Sequence, residues 1–290
     1  MVTDRYYYAD GSKQPVGPFS LSQLLALVAE GVITPTTKVI AKGDKEWENY
    51  VQHIRRLKCV VDYVFLIDSS SSMAPCFETL KHTVGRLLGM LPSRAITTGN
   101  WSGIQYRAKV VGYRDFRTNA VPLVDNPFTD DQAVFKGQLE ALKAEGRGDG
   151  PRSLLEAIYH VATMGQTERG EPLSPGKWRH RSAGYRLVII FTDAPYHETM
   201  EQPKDGTLDD VANACDSNKI ILQVFAPEMD CYYSLGEIDK TDCHLFAYDE
   251  ADPEGPAKAL NEFTSEKGNF KETLQALAKT VSQSAQTEVL

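Results

Sequence analysis

Between Val60 and Ile67 the chain runs almost continuously through apolar residues, then breaks into Asp68-Ser69-Ser70-Ser71-Ser72. An apolar run of strand length, bounded so sharply, is what a strand buried on both faces of a parallel sheet looks like. Arg186 to Phe191 and Ile220 to Phe225 read in the same way, and Tyr106 to Tyr113 and the shorter Val121 to Val124 add two more strands. Helical patterns fall between and after them: Phe77 to Met90, with Leu80, Val84, Leu87 and Leu88 on one face, then Asp131 to Lys143, Arg152 to Thr163, Leu208 to Asp216 and a last helix within Glu254 to Ser282. This alternation predicts an α/β fold with a doubly wound, mostly parallel, Rossmann-like sheet.

The chain is 290 residues long, which leaves room for a second, smaller unit, and its charge divides near residue 58. Residues 1–58 carry a net +2 and the remainder a net −10. The first segment opens with an aromatic strand, Tyr6-Tyr7-Tyr8, turns at Gly11 and returns through Val16-Gly17-Pro18-Phe19. Ser20 then caps a helix whose Leu21, Leu24, Leu25 and Val28 recur at helical spacing until Gly31, and Val32 to Ile40 tends toward a strand. A small N-terminal α+β domain over residues 1–52, a basic connector over 53–59 and an α/β domain over 60–290 follow from these signals.

In open α/β sheets, ligands bind beyond the carboxyl ends of the strands. Asp68, Ser70 and Ser72 alternate on the loop after the first strand and can turn toward one point, with Ser69 and Ser71 facing elsewhere. Asp193 follows a second strand, and Asp149 lies in the acidic glycine-rich loop from Gly146 to Pro151. Hard oxygen donors from three loops suit Mg²⁺, or Mn²⁺ or Ca²⁺. Ser-rich loops after strands are also ordinary turn and cap material, so it is the company of Asp149 and Asp193 that points to a metal.

Asp68, Ser70 and Ser72 form a D-x-S-x-S sequence, and this region resembles the von Willebrand factor type A domains with their metal-ion-dependent adhesion site. Val111-Gly112-Tyr113-Arg114-Asp115-Phe116, Gly148-Asp149-Gly150-Pro151 and Thr192-Asp193-Ala194-Pro195-Tyr196-His197 narrow the likeness to type A domains associated with alpha-kinases and their bacterial relatives. The resemblance implies direct ligation by Ser70 and Ser72, with Asp68 and Asp193 acting largely through bound waters and the last position open to an acidic group of a partner. Asp149 stands where many adhesion-type domains have Thr; it should favour the cation and weaken the pull on an acidic ligand. Tyr7, Gly17-Pro18-Phe19, Leu24, Gly31, Val39 and Trp47 resemble the GYF_2 domains, which implies peptide docking at Tyr7, Gly17, Pro18, Phe19 and Trp47, although no Gly-Tyr-Phe tripeptide is present. Tyr6, Tyr8, Phe19 and Trp47 suit equally well the core of a very small domain.

A net charge of −8 argues against general nucleic-acid binding. Five scattered cysteines, Cys59, Cys76, Cys215, Cys231 and Cys243, without a C-x-x-C pair point to reduced thiols, and no apolar run reaches membrane-spanning length. The expectation is a cytoplasmic, non-catalytic scaffold whose partners are proteins, among them a separately encoded kinase, phosphatase or ATPase, in a setting such as bacterial stress response or defence. The rival is a metal-assisted phosphohydrolase with His197 as its acid or base. A third reading makes the metal purely structural.

Overall fold

The computed structural model describes residues 5–11, 14–42, 44–50, 53, 60–90, 105–146 and 150–265. The side chains of Leu21, Leu25, Leu87 and Leu88, and the whole of Trp101, Asp149 and the part of the last helix beyond residue 265, lie outside these. The chain divides into two compact units, one N-terminal and one built on Val60–Leu91 and Tyr106–Leu277.

The N-terminal unit is a four-stranded antiparallel sheet in the order β2-β1-β3-β4, with β1 at Tyr6–Ala9, β2 at Pro15–Phe19, β3 at Lys38–Ala41 and β4 at Glu48–Asn49. Helix α1, Leu21–Ala29, starts in a capping box: Gln23 N donates to Ser20 Oγ at 3.3 Å and Ser20 N to Gln23 Oε1 at 2.8 Å. Such a cap is worth about 1 kcal/mol, which matters in a core this small. That core is Tyr6, Leu24, Ile33 and Val39, with Tyr8, Leu27, Val28 and Tyr50 packed on it. His53, which its sequence assigns to the connector, is part of this unit; it is buried, meets Tyr6 edge to face and pairs with Glu48. A side chain on Gly17 would come within 2.7 Å of the Tyr6 carbonyl and 2.8 Å of the Tyr7 ring, so only glycine lets β2 lie this close to β1.

The second unit is a six-stranded sheet in the order β7-β6-β5-β8-β9-β10. Its strands are β5 (Val60–Asp68), β6 (Gln105–Tyr113), β7 (Leu123–Asp125), β8 (Tyr185–Phe191), β9 (Ile220–Pro227) and β10 (Thr241–Phe246). β5, β8, β9 and β10 run parallel, and β7 lies antiparallel at the edge beside β6. From β5 the chain winds outward first through β6 and β7, then through β8 to β10, so the topological switch point falls between β5 and β8. Helices α2 (Ala74–Met90), α3 (Gln132–Ala141), α4 (Leu154–Thr163), α5 (Leu208–Ser217), α6 (Asp230–Gly236) and α7 (Gly255–Thr264) surround it. α2 packs with α3 and α7, and α4 with α5. β5 serves both layers: Val64 and Leu66 join the cluster that holds Leu154, Leu155 and Ile158 of α4, while Phe65 points the other way onto Phe135 of α3. Burying each such side chain contributes about 1.5–3 kcal/mol.

Three elements go beyond the sequence reading: β4, β10 and α6. β10 reads Thr-Asp-Cys-His-Leu-Phe and is half-buried at the sheet edge, so it lacks the apolar run of a central strand. α6 is seven residues long, too short to show a helical period.

At the amino ends of the central strands lies a buried ionic cluster. Asp62 receives Arg107 Nε and Nη2, each at 2.8 Å, and the Arg179 amide at 2.8 Å. Further guanidinium hydrogens go to backbone carbonyls, Arg107 to Ser174 and Lys177 and Arg186 to Arg179 and Asn218, and Arg186 Nη2 also donates to Gln166 Oε1. Together they pin the long Gly165–Ala183 segment to the sheet. Trp178 of that segment is fully buried and donates its indole N–H to the Val161 carbonyl at 2.8 Å, so its role here is packing.

Candidate metal centre

Asp68 is the last residue of β5 and is fully buried. The chain turns there because Asp68 Oδ1 accepts the Ser70 amide at 2.9 Å, the side chain closing a turn over its own loop. Ser69 faces away, donating both N–H and O–H to the Tyr113 carbonyl at 2.8 and 3.0 Å, which sets the carboxyl ends of β5 and β6 side by side. Ser71 is exposed, whereas Ser70 and Ser72 turn inward with their hydroxyl oxygens 3.0 Å apart. Ser72 Oγ donates to Asp193 Oδ1 at 3.0 Å, which brings in the loop after β8. Thr192 Oγ1 completes the link by donating to Asp68 Oδ2 at 3.2 Å.

These spacings bear directly on whether the residues fit a metal. Two oxygens bound to one Mg²⁺ at about 2.1 Å and at right angles stand about 3.0 Å apart. The pairs Ser70 Oγ with Ser72 Oγ and Ser72 Oγ with Asp193 Oδ1 both have that separation. The donor chemistry, two carboxylates and two hydroxyls, is that of a hard divalent cation. Burial pushes the Asp68 carboxyl above the usual range despite the Ser70 amide. Burial, and then the charge of Asp68, push Asp193 up to about 7. A cavity of about 390 Å³ lined by Ser71, Ser72, Ala74, Pro75, Pro253 and Glu254 opens beside Ser72 and gives it access to solvent.

A cation of the chain's own also reaches the site. Arg152 is buried, with Nη2 3.3 Å from Ser72 Oγ and Nε 4.0 Å from Asp68 Oδ2. Its backbone is tied to the loop after β8, its amide donating to the Pro195 carbonyl at 2.8 Å and its carbonyl accepting from the His197 amide at 3.0 Å.

Residues 62–262 match the von Willebrand factor type A domain family. The chain belongs to it. Residues 6–50 match GYF domain 2, so the N-terminal unit is a GYF_2 domain. Alpha-protein kinase vwkA of Dictyostelium discoideum is 26% identical over 162 residues, which is 56% of this chain and 23% of the kinase. The chain thus spans less than a quarter of that relative. Proximal thread matrix protein 1 from the mussel byssus can be superposed on 77% of this chain and 46% of its own length, at 12% identity and a TM-score of 0.42. Type A and GYF_2 domains are protein-interaction modules, and no helix among the described residues is long and apolar enough to cross a membrane.

Of the residues expected at the type A metal site, Asp68, Ser70, Ser72 and Asp193 come together and Asp149 lies outside the described residues. Thr192 and Arg152 join them without having been singled out from the sequence. Arg152 did leave a signal: it stands just before α4, where the helix dipole disfavours a cation that has no acid beside it. Asp115 takes the Arg117 amide at 3.0 Å, the Thr118 hydroxyl at 2.9 Å and His197 Nε2 at 3.2 Å. His244 stacks on Phe225 and bonds Gln223.

In the GYF_2 domain the docking candidates separate. Tyr7 lies on the strand face opposite Tyr6 and Tyr8, beside Gly17, with Pro18 exposed and Trp47 37% exposed. Phe19 stacks on Tyr8 with ring centroids 5.9 Å apart, on the side that carries the core.

Proposed function

We propose that the type A domain binds a divalent cation of the Mg²⁺ kind through Ser70, Ser72, Asp68 and Asp193 and uses it to capture a protein partner. The observation that carries this reading is the pair of 3.0 Å oxygen spacings that meet at Ser72, drawn from two strand ends and backed by two buried carboxylates. The ion would supply the positive charge that an acidic group of the partner recognises. The chain's own residues fix the oxygens, and the cavity beside Ser72 leaves one side open. The GYF_2 domain supplies a second contact through Tyr7, Pro18 and Trp47, for which a proline-rich peptide is the matching ligand, since it lies on aromatic surfaces at little entropic cost. Two modest contacts on one chain raise avidity through effective concentration. The function is therefore assembly rather than catalysis, and the likeness to part of an alpha-kinase is consistent with a role beside a separately encoded kinase.

Calorimetric titration of Mg²⁺ and Mn²⁺ into the full chain and into Asp68→Ala/Ser70→Ala tests the reading, together with capture of partners in metal and in chelator. Binding in the wild type that is lost in the double variant, with a partner held only in metal, is the expected result. No heat with the wild type, or the same partner in chelator, removes the metal from the mechanism and leaves the GYF_2 surface as the recognition element.

A further inference from the structure

We infer that Arg152 is a tethered cation built into the type A metal site, and that a divalent ion binds there in competition with its guanidinium. The inference rests on the metal-binding reading above and adds how that site is held in check.

The hydrogen-bond inventory of Ser72 gives the first ground. A hydroxyl has one hydrogen and two lone pairs. Ser72 Oγ donates its hydrogen to Asp193 Oδ1 at 3.0 Å, so its contacts with Ser70 Oγ at 3.0 Å and with Arg152 Nη2 at 3.3 Å fall on the two lone pairs. A metal bound by Ser72 needs one of them, and Arg152 holds one. Charge gives the second. Asp68 and Asp193 together carry two negative charges when ionised, and Arg152, with Nε 4.0 Å from Asp68 Oδ2, cancels one of them. Any ion about 2.1 Å from Ser72 Oγ would stand within about 5.4 Å of Arg152 Nη2, near enough for like charges in a buried site to repel strongly.

The arginine is also positioned rather than stray. It is 1% exposed, its Nη1 donates to the Gly150 carbonyl at 2.5 Å, and its backbone is bonded on both sides to the loop that carries Asp193. Gly150 has a φ of +81°, a left-handed conformation that glycine adopts without strain. The consequence is a site that keeps its shape without metal and admits the ion only as the guanidinium withdraws from Ser72.

The test uses the full chain as wild type, Arg152→Gln and Arg152→Lys, with Mn²⁺ calorimetry and thermal melting in manganese and in chelator. Arg152→Gln removes the charge and keeps a donor; Arg152→Lys keeps the charge. Expected are binding at least about tenfold tighter in Arg152→Gln than in wild type, near wild-type affinity in Arg152→Lys, and a melting deficit of Arg152→Gln in chelator that closes in manganese. An Arg152→Gln chain that folds only in manganese also supports competition. Equal affinity in wild type and Arg152→Gln overturns it while leaving the metal site standing. An Arg152→Gln chain unfolded with and without manganese overturns it too, since the arginine is then a requirement of the fold. Absence of binding by all three chains removes the metal reading and the competition together.

Discussion

At the amino ends of β5, β6 and β8 one carboxylate, Asp62, serves a group of three buried arginines, Arg107, Arg179 and Arg186. At the carboxyl ends of β5 and β8 two carboxylates, Asp68 and Asp193, stand with one arginine, Arg152. In the first cluster Arg107 grips Asp62 with two 2.8 Å bonds, Arg179 Nε stands 3.2 Å from the same carboxylate, and backbone carbonyls take further hydrogens of Arg107 and Arg186. In the second the arginine stands 4.0 Å from Asp68 Oδ2, and burial holds both acids above their ordinary range. Ionic groups of one kind thus hold a segment down at one end of the sheet and leave an excess of buried acid at the other. Burial alone does not separate these roles; the ratio of acids to bases does.

Removing the acid at each end should have opposite consequences, and the largest effect is expected at the amino end. Asp62→Ala strands the arginines that sew down Gly165–Ala183, and breaking a buried pair from one side costs about 3–5 kcal/mol. Asp68→Asn relieves repulsion, so in chelator it should cost less than about 1 kcal/mol while abolishing the response to metal. Denaturant unfolding of both variants, in chelator and in manganese, measures this. If the Asp62 variant loses no more stability than the Asp68 variant, the contrast between the ends is wrong.

The pH dependence of stability sharpens the same contrast with a smaller effect. Asp193 in the folded chain titrates near 7, above its ordinary value of 3.8, so between these values the folded state binds more protons than the unfolded one. The penalty for ionising Asp193 is absent below pH 3.8 and complete above about 7, and in chelator it subtracts stability as pH rises through that window, by about 2–4 kcal/mol. Asp193→Asn should flatten that slope. If the proposed ion binds at Asp193 it must displace that proton, so apparent affinity for manganese should weaken as pH falls below about 7.

The doubly wound sheet was legible because β5, β8 and β9 are buried on both faces, and burial on both faces writes a continuous apolar run into the chain. β10 was hidden because an edge strand is half-solvated and free to carry Asp242, Cys243 and His244. Asp68, Ser70, Ser72 and Asp193 were legible for a related reason: strand ends at a switch point are places the fold fixes in advance. Arg152 was not, since its approach to Ser72 depends on a loop returning across some eighty positions of sequence, and periodicity carries no such information. The amino-end cluster escaped for the same reason, its arginines being drawn from strands and loops that the sequence keeps far apart.

The smallest effect is expected at His197, and it decides between assembly and hydrolysis. An acid or base for a metal-bound water must direct a ring nitrogen at that water, but His197 Nε2 lies 3.2 Å from Asp115 Oδ1. Burial would raise the Asp115 carboxyl, yet the Arg117 amide, the Thr118 hydroxyl and His197 outweigh it and hold the group below its ordinary value. Asp115 also accepts the Ser153 hydroxyl at 3.3 Å, so the pair anchors the loop after β6 to the start of α4. His197→Asn should therefore cost about 1–2 kcal/mol, the worth of one hydrogen bond to a charged group, and leave manganese affinity within about twofold. The same titration and unfolding measurements give both numbers. Hydrolysis of p-nitrophenyl phosphate by the manganese-loaded chain, lost in His197→Asn, would overturn the assembly reading, because the histidine would then be working toward the metal and not toward Asp115.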